Sequence, residues 1–132
     1  MSEPRSIATL AAAPPTPVRA AIAHAAERTG VDFDFLFAQA KLESSLDPAA
    51  RAQTSSAAGL YQFTSATWRE TLEKHGEAHG LGWARAALAD PAMRASAMAL
   101  RHDPAAASLM AAELANDNRD ALTGVLGREP DA

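Results

Sequence analysis

The chain has 132 residues, of which 12 are basic and 16 acidic, giving a formal net charge of -4 at pH 7. This length suits one domain, and the acidic balance argues against a nucleic-acid partner, which would need a basic face. The chain has no cysteine, which excludes disulfides and thiolate metal sites, and no apolar run approaches the roughly 20 residues of a transmembrane segment.

The N-terminal stretch differs in composition from the rest of the chain. Residues 1–16 are interpreted as a flexible segment that precedes a single domain formed by residues 17–132. A cleaved signal peptide is the weaker interpretation, because Glu3 lies where a basic region is expected and Ser6 to Ala13 is short and barely hydrophobic.

The first helix is marked at both ends. Thr16 and Pro17 have the order of an N-cap and a proline at the first helical position, and Gly30 is a natural stop. His24 is interpreted as a partly exposed helix residue and not as a ligand. The residues predicted to be buried in this helix are Val18, Ile22, Ala25 and Ala26.

The second helix begins near Asp32 or Asp34, either of which can cap it. It ends at about Ser45 to Asp47, because Pro48 restricts the preceding residue away from helical angles. Three of the four phenylalanines lie within Phe33 to Phe37, and we interpret them as core. The predicted apolar face comprises Phe33, Leu36, Phe37 and Ala40.

Glu43 lies near the end of this helix, on the row formed by Leu36 and Ala40, so its carboxyl is expected to lean toward the apolar side. Desolvation there would favour the protonated carboxyl that a general acid requires. The alternative is an ordinary surface glutamate.

The next stretch, Pro48 to Ala58, has no hydrophobic period and contains the small polar run Gln53 to Ser56. Small side chains would let a sugar chain approach the backbone, although a surface connection is also polar for solvation alone. Gly59 permits close approach or a positive φ. Tyr61 and Gln62 follow this glycine, and the aromatic ring of Tyr61 and the side-chain amide of Gln62 could contact a saccharide.

A third helix is predicted from Ser65 to Lys74, with Thr64 or Ser65 as cap, Gly76 as terminator, and an inward edge formed by Trp68 and Leu72. His75 and His79 have the i, i+4 spacing of helical zinc ligands. Glycines at positions 76 and 80 break the helix that such ligands need, so no metal site is predicted.

The capping, proline and glycine residues in the rest of the chain also indicate helices. Trp83 is predicted to be core, Asp90-Pro91 and Asp103-Pro104 each open a helix, and a last short helix runs from Arg119 to Leu126, ending at Gly127. The core candidates in this part are Met93, Met98, Leu100, Leu109, Met110 and Leu114. The sequence therefore predicts an all-α fold, a compact domain of five to seven helices.

Two short motifs carry a family resemblance. Glu43-Ser44 ends a helix, and Gly59-Leu60-Tyr61-Gln62 follows after a loop of small residues. This arrangement resembles the catalytic core of the soluble lytic transglycosylases, which are relatives of goose-type lysozyme, and the likeness covers residues 18 to 75. Here the loop is one residue longer than the commonest family pattern, and Tyr61 stands where methionine is common.

The resemblance implies a lysozyme-like fold that cleaves the β-1,4 bond between N-acetylmuramic acid and N-acetylglucosamine in peptidoglycan, with no cofactor. Glu43 would protonate the glycosidic oxygen and then accept the C6 hydroxyl proton, giving a 1,6-anhydro end. The substrate-binding residues would be Ser44, Ser55, Ser56, Gly59, Tyr61 and Gln62. Such a substrate implies the periplasm or cell envelope.

Two alternatives stay open. A hydrolytic muramidase would need a second carboxylate; Asp47 is the nearest in sequence, but the following proline favours reading it as a turn residue. A non-catalytic glycan-binding or assembly module would need no acid. The family's late tyrosine motif, which forms the opposite side of the cleft, has no counterpart after Tyr61. Either the chain stops before that wall or a divergent member builds it with other residues. We expect the first, a domain truncated at its C-terminus with a shallower groove beside Glu43 and with apolar side chains exposed or covered by a second copy of the chain.

Overall fold

The computed structural model describes residues 16–126 of the chain. The predicted flexible segment, apart from Thr16, and the predicted stop at Gly127 lie outside these residues. The described helices are α1 (Pro17–Thr29), α2 (Phe33–Ser44), α3 (Ser65–His75), α4 (Gly82–Leu88), α5 (Arg94–Ala99) and α6 (Pro104–Leu126), with 3₁₀ helices at Glu77–His79 and Leu100–His102.

Strand structure is nearly absent from residues 16–126, where the only pairing is two isolated bridges, of Arg51 with Ala58 and of Ala58 with Phe63. The prediction of a compact, lysozyme-like all-α domain of five to seven helices is therefore confirmed.

Local capping explains where the first helices begin. The Thr16 hydroxyl accepts a hydrogen bond from the Arg19 amide at 3.1 Å, and the Asp32 carboxylate accepts one from the Phe35 amide at 3.0 Å. Gly30, with φ of +80°, ends α1. Each contact satisfies a backbone group that has no partner inside the helix, so the predicted boundaries of α1 and α2 are confirmed.

The core forms where α6 packs against α1 and α3. About half of its buried apolar residues are alanine, which lets helices approach closely, and the larger side chains fill the remaining space. The predicted core positions Ile22, Leu36, Trp68, Leu72 and Met110 are all fully buried. Met98, Leu100 and Leu114 are partly buried against the same cluster.

Three predicted core residues are exposed instead. Phe35 is 52% exposed because it lies on the face of α2 opposite to Phe33 and Phe37, which stack on each other at 5.5 Å. Trp83 is 50% exposed, since α4 buries the adjacent positions Ala84, Ala87 and Leu88. Met93 precedes α5 and is 47% exposed.

The helix predicted to open at Pro91 begins later. Residues 91–93 form a turn in which the Asp90 carboxylate accepts a hydrogen bond from the Ala92 amide, and α5 starts at Arg94. The acid therefore caps a turn. Asp103, by contrast, caps α6 as predicted, with its carboxylate 2.8 Å from the Ala106 amide.

The predicted short helix from Arg119 to Leu126 is not separate, because α6 continues through it from Pro104. The polar residues that suggested a break have partners elsewhere in the fold. Asn116 donates to the Thr29 carbonyl at 3.2 Å, and Asp117 accepts from His75 at 2.8 Å. These contacts satisfy the side chains without interrupting the helix.

Candidate functional site

Glu43 lies in the last turn of α2, and its side chain is exposed. Its neighbour Leu42 is exposed as well, so the apolar row of α2 ends at Ala40. The prediction that the Glu43 carboxyl leans into apolar surroundings is therefore wrong, because Glu43 lies on the exposed side of this turn.

The backbone beyond Glu43 reverses direction within two residues. Ser45 and Leu46 have φ of 55° and 64°, and the Leu46 amide donates back to the Ala40 carbonyl at 3.3 Å. The Ser45 amide donates to the Lys41 carbonyl at 2.9 Å, so Ser45 gives α2 an αL ending, a conformation in which glycine is usual. It places Glu43 at a sharp corner where the helix meets the loop.

Ser44 and Asp47 hold this corner. The Ser44 hydroxyl donates to the Ala40 carbonyl at 3.1 Å and accepts from the Asp47 amide at 3.2 Å. The Asp47 carboxylate accepts from the Ala49 amide at 2.9 Å. The interpretation of Asp47 as a turn residue is thus confirmed, while Ser44 already has backbone partners of its own.

The loop that follows is tied to the second 3₁₀ helix by Arg101. Its guanidinium donates to the carbonyls of Ser56, Phe63 and Met98 at 2.7, 3.2 and 3.1 Å. Gly59 packs against the same residue, since a Cβ on Gly59 would lie 1.9 Å from the Arg101 carbonyl oxygen. Sequence analysis missed Arg101, because only folding brings it to this loop.

Ser55 and Ser56 are both exposed on this loop. Their hydroxyls accept local backbone hydrogen bonds, Ser55 from the Ala57 amide at 3.2 Å and Ser56 from the Ser65 amide at 2.9 Å. Each hydroxyl keeps its own proton available to an external acceptor.

Tyr61 is only 7% exposed, and its hydroxyl donates to the Leu36 carbonyl at 3.0 Å. Burial raises the pKa of Tyr61 to about 12, and the nearby Ser108 hydroxyl offsets this only in part.

Gln62 has φ of 52°, and its side-chain amide donates to the carbonyls of Gly59 and Ala50 at 2.9 and 3.3 Å. These bonds make the turn rigid.

An open cleft of about 1190 Å³ runs between the N-terminal part of α2, the turn after Gly59, and the C-terminal half of α6. Of the predicted site residues, it brings together Tyr61 and Gln62. Its other polar lining residues include Asp32, Asp34, Gln39, Thr64, Thr67, Asn116, Asn118 and Arg119.

Glu43 does not line this cleft but stands just beyond its end. Gln39, which does line it, lies four residues before Glu43 on α2, a separation of about 6 Å along the helix axis. The Gln39 side-chain oxygen is buried and has no hydrogen-bond partner among the described residues. The i, i+4 spacing from Glu43 was the signal that could have identified Gln39.

A family model described as the transglycosylase SLT domain matches residues 20–125. The match extends from α1 to α6 and so includes Glu43, the loop and the cleft. The chain belongs to this family. Membership implies lytic transglycosylase activity on peptidoglycan, and with it a periplasmic or envelope setting.

Several large apolar side chains of this SLT domain are exposed. Phe35 and Leu42 are exposed on α2, and Leu122 and Val125 are exposed on α6. The expectation that a second copy of the chain covers such side chains stays a prediction. In residues 16–126, no helix is both long and apolar enough to span a membrane.

His75 and His79 of the SLT domain connect α3 and the following 3₁₀ helix to α6. His75 donates to Asp117 at 2.8 Å, and the almost fully buried His79 lies 2.6 Å from Glu113. Burial alone would raise the pKa of Asp117, but hydrogen bonds and charge from His75 and then Lys74 outweigh it and lower that pKa. Across the described residues, no group of three or more His, Asp or Glu side chains could hold a metal ion.

Proposed function

We propose that the protein is a peptidoglycan lytic transglycosylase in which Glu43 serves first as general acid and then as general base. The observation that carries this proposal is the position of Glu43, an exposed carboxyl at the corner of α2, one helical turn beyond the cleft-lining Gln39. A glycan strand lying along the cleft would pass over this corner and remove water from the carboxyl, which favours its protonated form.

A single carboxyl group can carry out both proton transfers of the reaction. Glu43 gives its proton to the glycosidic oxygen as the bond from that oxygen to C1 of N-acetylmuramic acid breaks. The carboxylate then takes the proton of the C6 hydroxyl as that oxygen bonds to C1. No water is consumed, and the products are a 1,6-anhydro end and a free hydroxyl on the departing sugar.

The hydrogen bonding of Asp47 favours the transglycosylase reaction over hydrolysis. A hydrolytic glycosidase usually needs a second carboxylate to activate water or to attack C1. Asp47 is the nearest acid in sequence, and its carboxylate is used by the Ala49 amide in the turn. Glu43 is thus the one group in this corner that we assign to proton transfer.

We assign each predicted substrate-binding residue a role from its position in the cleft, the loop or the corner. Tyr61 and Gln62 would border the strand in the cleft, and the free protons of Ser55 and Ser56 would reach sugar oxygens above the loop. Ser44 and Gly59 would act through the backbone, by holding the corner and the turn. The strands of peptidoglycan in the periplasm or envelope are the proposed partner.

Glu43→Gln tests the proposal, with Asp47→Asn as its matched control. Glutamine keeps the size of the side chain but transfers no proton, so we expect turnover of purified peptidoglycan to fall about 10²- to 10⁴-fold with strand binding retained. Asparagine can still accept from the Ala49 amide, so Asp47→Asn should retain most activity. Circular dichroism of both variants checks the fold.

The reaction product separates this proposal from its alternatives. Mass spectrometry should find anhydro-muramic ends, which are lighter than reducing ends by one water molecule. Reducing ends alone would show a hydrolase. If the unmutated protein binds strands but releases no fragments, it is a binding module.

A further inference from the structure

Two arginines lie close together at the loop that follows Glu43. The Gly59 amide donates to the Ala50 carbonyl at 2.8 Å, and Gly59 packs against the Arg101 backbone, so the segments that carry Arg51 and Arg101 lie side by side. In agreement with this packing, burial and then the positive charge of Arg51 lower the pKa of Arg101. Arg101 is held in place by three backbone carbonyls, whereas Arg51 is exposed at the rim of the loop.

Within residues 16–126, neither arginine forms an ion pair, although the chain as a whole has more acidic than basic residues. The two acids closest to this region in sequence are both used as caps. Asp47 accepts from the Ala49 amide, and Asp103 accepts from the Ala106 amide. No described carboxylate therefore lies within salt-bridge distance of either guanidinium group.

The surface beside Arg51 is concave. Pro48, Ala49, Arg51 and His102 line a shallow depression of about 300 Å³. His102 Nδ1 donates to the Pro48 carbonyl at 2.8 Å and so fixes the loop against the second 3₁₀ helix. The backbone of Arg51 is also held, by its bridge to Ala58.

The guanidinium groups have donors to spare. Arg101 uses Nε and Nη1 for its three carbonyls, and the described residues accept no hydrogen bond from its Nη2. The Arg51 side chain makes no hydrogen bond to any described residue. A planar guanidinium matches the two oxygens of a carboxylate, and charge-assisted bonds of this kind are among the stronger ones in proteins.

We propose that Arg51 and Arg101 form a subsite that binds a carboxylate of the peptide carried by N-acetylmuramic acid, next to the corner where Glu43 acts. This subsite rests on the proposed function, since it assigns the substrate as peptide-bearing glycan strands. Arg51 lies on the loop that follows the Glu43 corner and Arg101 is hydrogen-bonded to that loop, so the peptide would extend over the loop while the sugars occupy the cleft.

The test compares two glycan tetrasaccharides, one with peptides whose carboxylates are free and one with the same carboxylates amidated. Calorimetry with the Glu43→Gln variant measures binding without cleavage. We expect the free-carboxylate ligand to bind about two- to fivefold more tightly, the range of exposed charge pairs, with a smaller preference at high salt.

Further substitutions in the same background locate the effect. Arg51→Gln should abolish the preference for free carboxylates, and Arg51→Lys should restore part of it. Arg28→Gln, which removes an exposed charge near the end of α1, should leave the preference intact. Arg51 is exposed and its side chain holds no described contact, so its replacement should preserve the fold.

The outcomes distinguish the two proposals. Equal affinity for both ligands, or a preference that survives Arg51→Gln, would overturn the carboxylate subsite and leave the proposed function standing. Failure of the protein to bind either ligand would overturn the proposed function, and the subsite would fall with it.

Discussion

The identity of Gly59 is set by two geometric constraints. Its φ of +84° lies in the region that glycine adopts without strain, and its α-carbon packs against the Arg101 carbonyl with no room for a Cβ. Both constraints come from the packing of the loop on the second 3₁₀ helix. The close approach predicted at this glycine is confirmed, and the group that approaches is protein backbone.

Gly59→Ala should therefore destabilise the fold by about 2–5 kcal/mol, the sum of a positive φ and an overpacked contact. Gly80→Ala is the matched control, because Gly80 has φ of +77° with nothing within 4 Å of its would-be Cβ. It should cost about 1–2 kcal/mol. Urea unfolding of both variants measures the difference, and equal losses would contradict the steric argument.

Backbone strain collects at both ends of the loop. In the described part of the chain, Ser45, Leu46 and Gln62 are the non-glycine residues with positive φ. Each such conformation costs of order 1 kcal/mol or more and persists only where surrounding contacts impose it. The bonds of Leu46 to Ala40 and of Gln62 to Gly59 supply those contacts, so the loop is fixed relative to Glu43.

At the scale of elements, α6 organises the domain. Its first half is buried against α1 and α3, and its second half borders the cleft. Between these parts, Glu113 and Asp117 receive the hydrogen bonds of His79 and His75. The carboxylates thus attach α6 to α3 and to the 3₁₀ helix that follows it.

The lowered pKa of Asp117 makes this attachment dependent on pH. A carboxyl that is more acidic when folded stabilises the protein at pH values above its unfolded pKa of about 3.9, and this contribution is lost as pH falls through the lower folded pKa. Asp117→Asn should lower the free energy of unfolding by about 1 kcal/mol at pH 7 and by little at pH 2.5.

Asp120→Asn is the control for that measurement, because Asp120 is an exposed acid on the same helix with no described partner. It should change the stability little at either pH. Urea unfolding at the two pH values provides the data. A loss in Asp117→Asn that is the same at pH 7 and pH 2.5 would show that charge is not the cause.

At the scale of the whole molecule, a few large side chains fill a core made mainly of alanine. Trp68 is fully buried, meets Phe63 edge to face at 4.9 Å between ring centroids, and donates to the Ala97 carbonyl at 3.0 Å. It therefore joins the loop, α3 and α5. A domain of this kind has a total stability of only about 5–15 kcal/mol, so one such residue matters to the whole.

The two tryptophans provide a matched comparison. Trp68→Ala should cost about 3–5 kcal/mol through the cavity it leaves, whereas Trp83→Ala, at a half-exposed position, should cost less than about 1 kcal/mol. Thermal unfolding followed by circular dichroism measures both. Similar losses in the two variants would mean that Trp83 is part of the core after all.

The sequence by itself determined the features that depend on neighbours along the chain. The caps at Thr16, Asp32 and Asp103 could be read directly, because a cap bonds to amides two or three residues away. The order of Glu43 and the Gly59 turn identified the family for the same reason, since it is a pattern of local spacing.

Only the tertiary structure decided which face of each helix is covered. Helical periodicity places Glu43 on a row with Leu36 and Ala40, but the core ends one turn before Glu43 and leaves it exposed. The continuity of α6 and the contact of Arg101 with the loop likewise depend on residues far apart in the chain. A helix face is buried only where another element packs against it, and the sequence of the helix alone does not identify that element.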